Sequence, residues 1–243
     1  MSPNPPPDRR ISEQTLADLR LLHLADSALP IGALAHSFGL ETPVARELLD
    51  NSNLPAFLEA YLQEAGTLEA VFCRAAFRLA PSNLDRFEVH RWLDLNRGLS
   101  ARKPARESRA GSASLGRNFL AAVIALGDYP ALRQARDAAK QTRGLIHHST
   151  AFGLASGVLA LDEDRAVSAF LHQSVASLVS ACQRLLPLGQ SEATAILWNL
   201  KSAVIDVARS SVSLSIDDAF CFTPLLDWGA MEHPALFTRL FIS

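Results

Sequence analysis

The strongest constraint on the fold is a helical spacing of apolar residues that recurs along nearly the whole chain. Its clearest run is Leu54 to Leu79, where Phe57, Leu58, Tyr61, Leu62, Ala65, Leu68, Val71, Phe72 and Ala75 fall three or four apart. Such spacing lines one face of an α-helix, so one side of the segment must be buried against a neighbour. The same reading predicts helices over Thr15–Ala25, Glu41–Asp50, Leu84–Leu99, Ala105–Leu126, Ala131–Thr142, Ser149–Leu161, Glu163–Leu186 and Gln190–Ser210. Breaks fall where the chemistry asks for them: Asn51-Ser52-Asn53, Pro81, Pro104, Gly127 to Pro130, and Pro187. Asn53 is placed to cap the helix that carries Pro55 in its first turn. Val212 to Ile216 alternates like a strand but has no partner, so it reads as a loop. The expected fold is all-α, a single-domain bundle of about eight to ten helices.

Composition bounds this further. At 243 residues and 49% hydrophobic content the chain can bury a substantial core. No apolar run reaches the roughly 18 residues of a membrane span. The opening MSPNPPPDRR lacks the apolar centre of a signal peptide, and residues 1–14 read as a disordered lead into a cytoplasmic protein. Residues 15–231 form the helical domain and 232–243 a separate tail. Three widely spaced cysteines, Cys73, Cys182 and Cys221, argue against a disulfide framework. The net charge of −2 hides a split, because residues 84–143 hold 12 Lys/Arg against 6 Asp/Glu. That basic middle is either a solvated face or a surface for an acidic partner. A pI near 6.4 does not fit a nucleic-acid binder.

Catalytic motifs are absent from the sequence: there is no H-E-x-x-H, G-x-S-x-G or paired C-x-x-C. Gly111 to Asn118 has the glycine spacing of a phosphate-binding loop but lacks its lysine and its Ser/Thr, and no strand precedes it. His147-His148 is the best candidate metal pair. Adjacent residues on a helix point about 100° apart, so a helix-end or solvent-exposed pair is the favoured reading. His23, His90 and His172 lie within helices as ordinary residues, and no metal ligand is assigned.

The remaining signal sits at the two ends. Leu21 to Glu41 is an apolar helix interrupted by Ser27, Pro30 and Gly32, then resumed in small residues. Pro30 and Gly32 are expected to set an angle between two helices, and Gly39 to allow close approach by a third. The stretch Pro30-Ile31-Gly32 followed by His36-Ser37-Phe38-Gly39-Leu40-Glu41 resembles the N-terminal signature of the urease accessory protein UreF family. The closing Arg239-Leu240-Phe241-Ile242-Ser243 resembles that family's terminal R-L-F-x-S. Leu99 to Arg102 and Arg106 to Arg109 resemble its Arg/Glu-rich segment, Gly116-Arg117 the glycine beyond that segment, and Leu188-Gly189-Gln190 its L-G-Q turn. The chain departs from the pattern at Pro234, Phe237, Ile242 and His36, where members usually carry glutamate, tyrosine, arginine and tyrosine.

The resemblance implies a non-catalytic scaffold in urease maturation. It implies a homodimer that binds UreD (also called UreH), recruits the GTPase UreG and serves nickel delivery to apo-urease. Nickel and GTP are expected only through those partners, with no cofactor bound stably, no nucleic acid and no membrane. By the same resemblance the partner-binding residues are His36, Ser37, Gly39, Glu41, Arg106, Arg109, His233, Phe237, Arg239, Leu240, Phe241 and Ser243. Arg239 offers a planar fork of donors that lysine cannot copy. Two other readings stay open: a helical module for a different acidic partner, and an enzyme with a scattered site such as Asp26, His36 and Glu41.

Overall fold

The computed structural model describes residues 13–81 and 86–242, and in these the chain is helical with no strand. The helices are α1 (Glu13–Leu24), α2 (Glu41–Ala45), α3 (Leu54–Tyr61), α4 (Thr67–Phe77), α5 (Val89–Ala101), α6 (Arg106–Ala125) and α7 (Pro130–Thr142). They continue with α8 (His148–Val158), α9 (Glu163–Leu185), α10 (Gln190–Asn199), α11 (Lys201–Ser210) and α12 (Pro224–Glu232). A wide π-turn, Leu62–Gly66, joins α3 to α4 in one rod, and only Leu200 separates α10 from α11. Counted that way the described residues hold ten helices in one domain, the all-α bundle that the periodicity predicts. None of the helices is long and apolar enough to cross a membrane.

The bundle is built around α8. Every residue from Ser149 to Ser156 is buried, so this helix has no solvent face. Small side chains let its neighbours in. A Cβ on Gly153 would lie 2.0 Å from the Cys73 carbonyl oxygen of α4, and one on Gly157 would lie 2.5 Å from that of Phe77. From the other side, Gly116 of α6 meets the Ile146 carbonyl, 2.1 Å from where its Cβ would stand. The glycines that imitate a phosphate-binding loop are therefore buried in mid-helix as packing positions. Phe119, Phe152 and Phe170 stack around His148 in the space beside them, with ring centroids 5.3–6.5 Å apart.

Polar side chains tie the same layer together. His147 stands at the N-cap of α8, buried, with Nε2 2.7 Å from Ser100 Oγ and Nδ1 3.1 Å from Ser112 Oγ. Its amide donates to Asn96 Oδ1 at 2.9 Å, which also accepts from Thr150 Oγ1 at 2.7 Å. The histidine pair is thus at a helix end but not solvent-exposed. Burial pushes both imidazoles down to about 4, so they are neutral. Arg74 does similar work in α4, donating to Glu163, Asp164 and the Ala208 carbonyl.

Several boundaries differ from the sequence reading, each for a local reason. The helix expected to begin at Thr15 begins at Glu13, and residues 1–12 of the expected disordered lead lie outside the described residues. The helix expected over Glu41–Asp50 stops at Ala45. There Glu47 takes a φ of 58° and the Leu48 and Leu49 amides fold back onto the Pro43 carbonyl, which buries Leu49. Asn53 holds the cap position, yet its side chain bonds the Asp50 amide and the Leu48 carbonyl instead. The helix expected from Leu84 starts at Val89. The sequence reading misses α12 altogether, since it breaks the tail at Pro224 and Pro234; Pro224 is the first helical residue, where its lost N–H is harmless. The apolar spacing at Leu236, Phe237, Leu240 and Phe241 does not make a helix: after a 3₁₀ turn, His233–Ala235, the chain is irregular.

Candidate functional site

The expected joint is not a simple kink. After α1 the chain runs irregularly to Glu41, with one short 3₁₀ turn, Ala33–Ala35, entered through Gly32 at φ 86°. Asn118 Nδ2 donates to the Ile31 carbonyl at 2.9 Å and pins this run to α6. Phe38 and Gly39 both have positive φ, 53° and 88°, and they turn the chain so that Glu41 opens α2 pointing inward.

Gly39 is where another backbone comes close. A Cβ there would lie 2.5 Å from the Leu226 carbonyl oxygen, and a Cβ on Gly229 would lie 2.3 Å from the Gly39 carbonyl. Thr42 Oγ1 donates to the Gly229 carbonyl at 2.8 Å. So α2 and α12 meet backbone to backbone, as expected of Gly39, but the partner is the helix that the sequence concealed.

Glu41 is the hub that ties the two ends of the chain together. It is 5% exposed, a position that a carboxylate occupies only with partners. Its Oε1 accepts from the Leu240 amide at 2.6 Å, and its Oε2 accepts from the Phe241 amide at 3.2 Å and lies 3.0 Å from His233 Nε2. The other ring nitrogen, Nδ1, lies 2.8 Å from Glu107 Oε2 at the start of α6. Carboxylate oxygens thus stand within hydrogen-bond distance of both nitrogens of the fully buried imidazole. Beyond it the Ile242 amide donates to the Ala35 carbonyl at 2.9 Å. The Arg184 guanidinium lies 4.2 Å from the centre of the Phe241 ring and donates to the Leu34 carbonyl at 2.7 Å.

The residues singled out in the sequence therefore divide by position. Glu41, His233 and Phe241 are buried and hold the tail to the joint, His36 and Ser37 are buried within the joint, and Gly39 lies against α12. The His36 ring packs at a tilt against Phe38, and burial lowers its pKa. Arg109 donates to the carbonyls of Lys103 and Pro104 and closes the turn before α6, whereas Arg106 is exposed. Phe237, Arg239 and Leu240 face outward, Phe237 fully and Leu240 at 61% exposure, and Ser243 lies outside the described residues. Ile242 and Leu34 add exposed apolar area beside them, joined through the Ile242–Ala35 bond. The tail thus has an anchored edge and a bare apolar edge with an arginine in it. Asp26 caps the Ala28 amide on the surface and has no part in this cluster. Sequence reasoning passed over Glu107, Thr42, Gly229 and Arg184, none of which has a local signature; Glu107 lay inside the Arg/Glu-rich segment without standing out from it.

The stretches that meet here, near residues 40, 107 and 240, are far apart in sequence. They are also the stretches that carry the family resemblance. A family model described as UreF matches residues 48–201, more than half of the chain. The chain belongs to the UreF family. Among curated UreF proteins, each named a urease accessory protein, the chain is similar along nearly its whole length. That of Corynebacterium glutamicum strain R is 32% identical, covering 93% of this chain and 98% of its own. That of Actinobacillus pleuropneumoniae serotype 5b is 31% identical over 92% and 97%, and that of Haemophilus influenzae strain PittEE 30% over 95% and 97%. The family-model match ends before α12, so the anchored tail lies outside it.

Proposed function

We propose that this chain serves urease maturation as a non-catalytic scaffold, bridging UreD (UreH) and the GTPase UreG so that nickel reaches apo-urease, and that it acts as a homodimer. The observation that carries the reading is the tail. Its backbone is fixed by Glu41, while Phe237, Leu240 and Ile242 are held outward around Arg239. An exposed apolar edge on a pinned backbone suits a partner surface, because the ordering cost of the segment is already met within the chain. The whole-length similarity to urease accessory proteins supplies the pathway. Two other side chains of catalytic type point the same way: His147 is neutral and bonded to two serines, and Cys73 is a buried thiol pushed far up by desolvation.

The test is co-purification with UreD and UreG, with thermal melts alongside. Removing residues 237–243 should leave a helical, folded protein that no longer joins UreD and UreG. Arg239→Ala should weaken assembly more than Arg239→Lys. A truncated chain that still assembles fully removes the tail from the mechanism, and turnover of GTP or urea by the pure protein overturns the scaffold reading.

A further inference from the structure

Two phenylalanines outside the 237–243 tail are left to solvent. Phe220 is 76% and Phe222 73% exposed, on the loop between α11 and α12. Scattered exposed apolar residues are common, and loops that move often carry them. This loop is held in place. The Arg102 guanidinium donates to the carbonyls of Ile216 at 3.0 Å and Ala219 at 2.7 Å, and Glu64 Oε2 accepts from the Phe222 amide at 3.0 Å. Asp218 closes the turn before it, accepting from the Ser215 amide and hydroxyl. Exposure alternates along the segment: Ala219 is buried and Cys221 partly so, with a bare ring after each.

The charge at the surface around the rings has one sign. Between Arg209 and Arg239 the chain has four acids and no Lys or Arg. Asp217 and Asp218 are exposed on the loop itself, Glu64 lies at the Phe222 amide, and Asp227 Oδ2 lies 3.4 Å from the Thr223 hydroxyl just beyond. The cations near the loop are held. Arg102 is partly buried against the Ile216 and Ala219 carbonyls, and Lys103, its side chain 17% exposed, is paired with Glu69.

These neighbours narrow the partner. A phenyl ring attracts a cation through its face, and a carboxylate beside it adds a charge-assisted hydrogen bond. Arginine uses both at once, because its planar guanidinium stacks on a ring while its N–H fork meets a carboxylate. Bare rings alone suit any apolar partner; rings among carboxylates favour a basic one and repel an acidic one.

We propose that the Phe220–Phe222 loop is a docking surface for a basic peptide segment, whose arginines stack on the two rings and pair with the carboxylates beside them. It is a second surface, separate from residues 237–243. The probe is a short, fluorescently labelled peptide of alternating arginine and leucine, titrated into the full-length chain and followed by anisotropy. Saturable binding is expected, weakened about tenfold in the double variant Phe220→Ser, Phe222→Ser, the scale of two exposed cation–π contacts. Asp217→Lys should weaken it too, and decides the matter if the double variant does not fold. The same peptide with glutamate in place of arginine should not bind, and removing residues 237–243 should leave binding unchanged. No saturable binding, undiminished binding by the variants, equal binding of the glutamate peptide, or loss of binding on removing the tail each overturns the proposal. Self-association of the chain, or binding to neutral phosphatidylcholine vesicles, that disappears in the double variant gives the rings to a second copy or a membrane and overturns it as well.

Discussion

Single residues carry most of the specificity in this molecule, and two of them make quantitative predictions. Gly39 combines a φ of 88° with a carbonyl 2.5 Å from where a Cβ would stand. Either fault alone is costly, so Gly39→Ala should lose about 2–4 kcal/mol in urea denaturation. A loss below about 1 kcal/mol would mean that α12 can retreat from α2 without consequence. His148 makes the second. Burial lowers its pKa to about 4 from an ordinary 6.5, so between those values the unfolded chain takes up a proton that the folded chain refuses. Its contribution is intact above pH 6.5 and is lost as pH falls toward 4, by at most about 3 kcal/mol. His147 is lowered to about 4 likewise and adds to the same slope. His148→Phe, which keeps the ring among Phe119, Phe152 and Phe170, should flatten the fall in melting temperature between pH 6.5 and 4. An unchanged slope would place the acid sensitivity elsewhere.

Among the elements, those with a long apolar stripe were legible, and those held by backbone contact were not. The helix Leu54 to Leu79 announced itself because nine apolar residues kept one spacing, and only its π-turn went unseen. A five-residue turn changes the phase of the stripe without removing it, which periodicity alone does not register. By contrast α12 is short, begins with proline and carries a central glycine, and it is stabilised by contact with α2 rather than by its own propensity. Four of the twelve cations of the basic middle form local pairs, Arg91 with Glu88, Arg97 with Asp94, Arg133 with Asp128 and Arg136 with Asp137, at largely exposed positions. The packing of α8 yields a further expectation. Gly153→Ala would drive a methyl into the Cys73 carbonyl 2.0 Å away, backbone that cannot swing aside as a side chain does. It should destabilise by about 3 kcal/mol or more, measured by denaturant midpoint, whereas the open Gly189→Ala should stay within about 0.5 kcal/mol.

At the scale of the whole molecule, the candidate site could be guessed at its ends but not assembled. The stretches near Gly39, Arg106 and Arg239 were each singled out, yet no sequence spacing says that Glu41 receives the amides of residues 240 and 241. Hydrogen exchange offers the matching measurement. The Leu240 and Phe241 amides should be protected in the intact chain and exchange freely in Glu41→Ala, with the amides of α8 unaffected; equal protection in both proteins would deny Glu41 its role. The same bond has a consequence for biosynthesis. Glu41 leaves the ribosome 192 to 200 residues ahead of its partners His233, Leu240 and Phe241. Until then its carboxylate has none of these three partners and the surface that should cover it must stay open to water. A nascent chain that has not reached residue 240 therefore cannot close over Glu41, and the finished edge waits for residue 242.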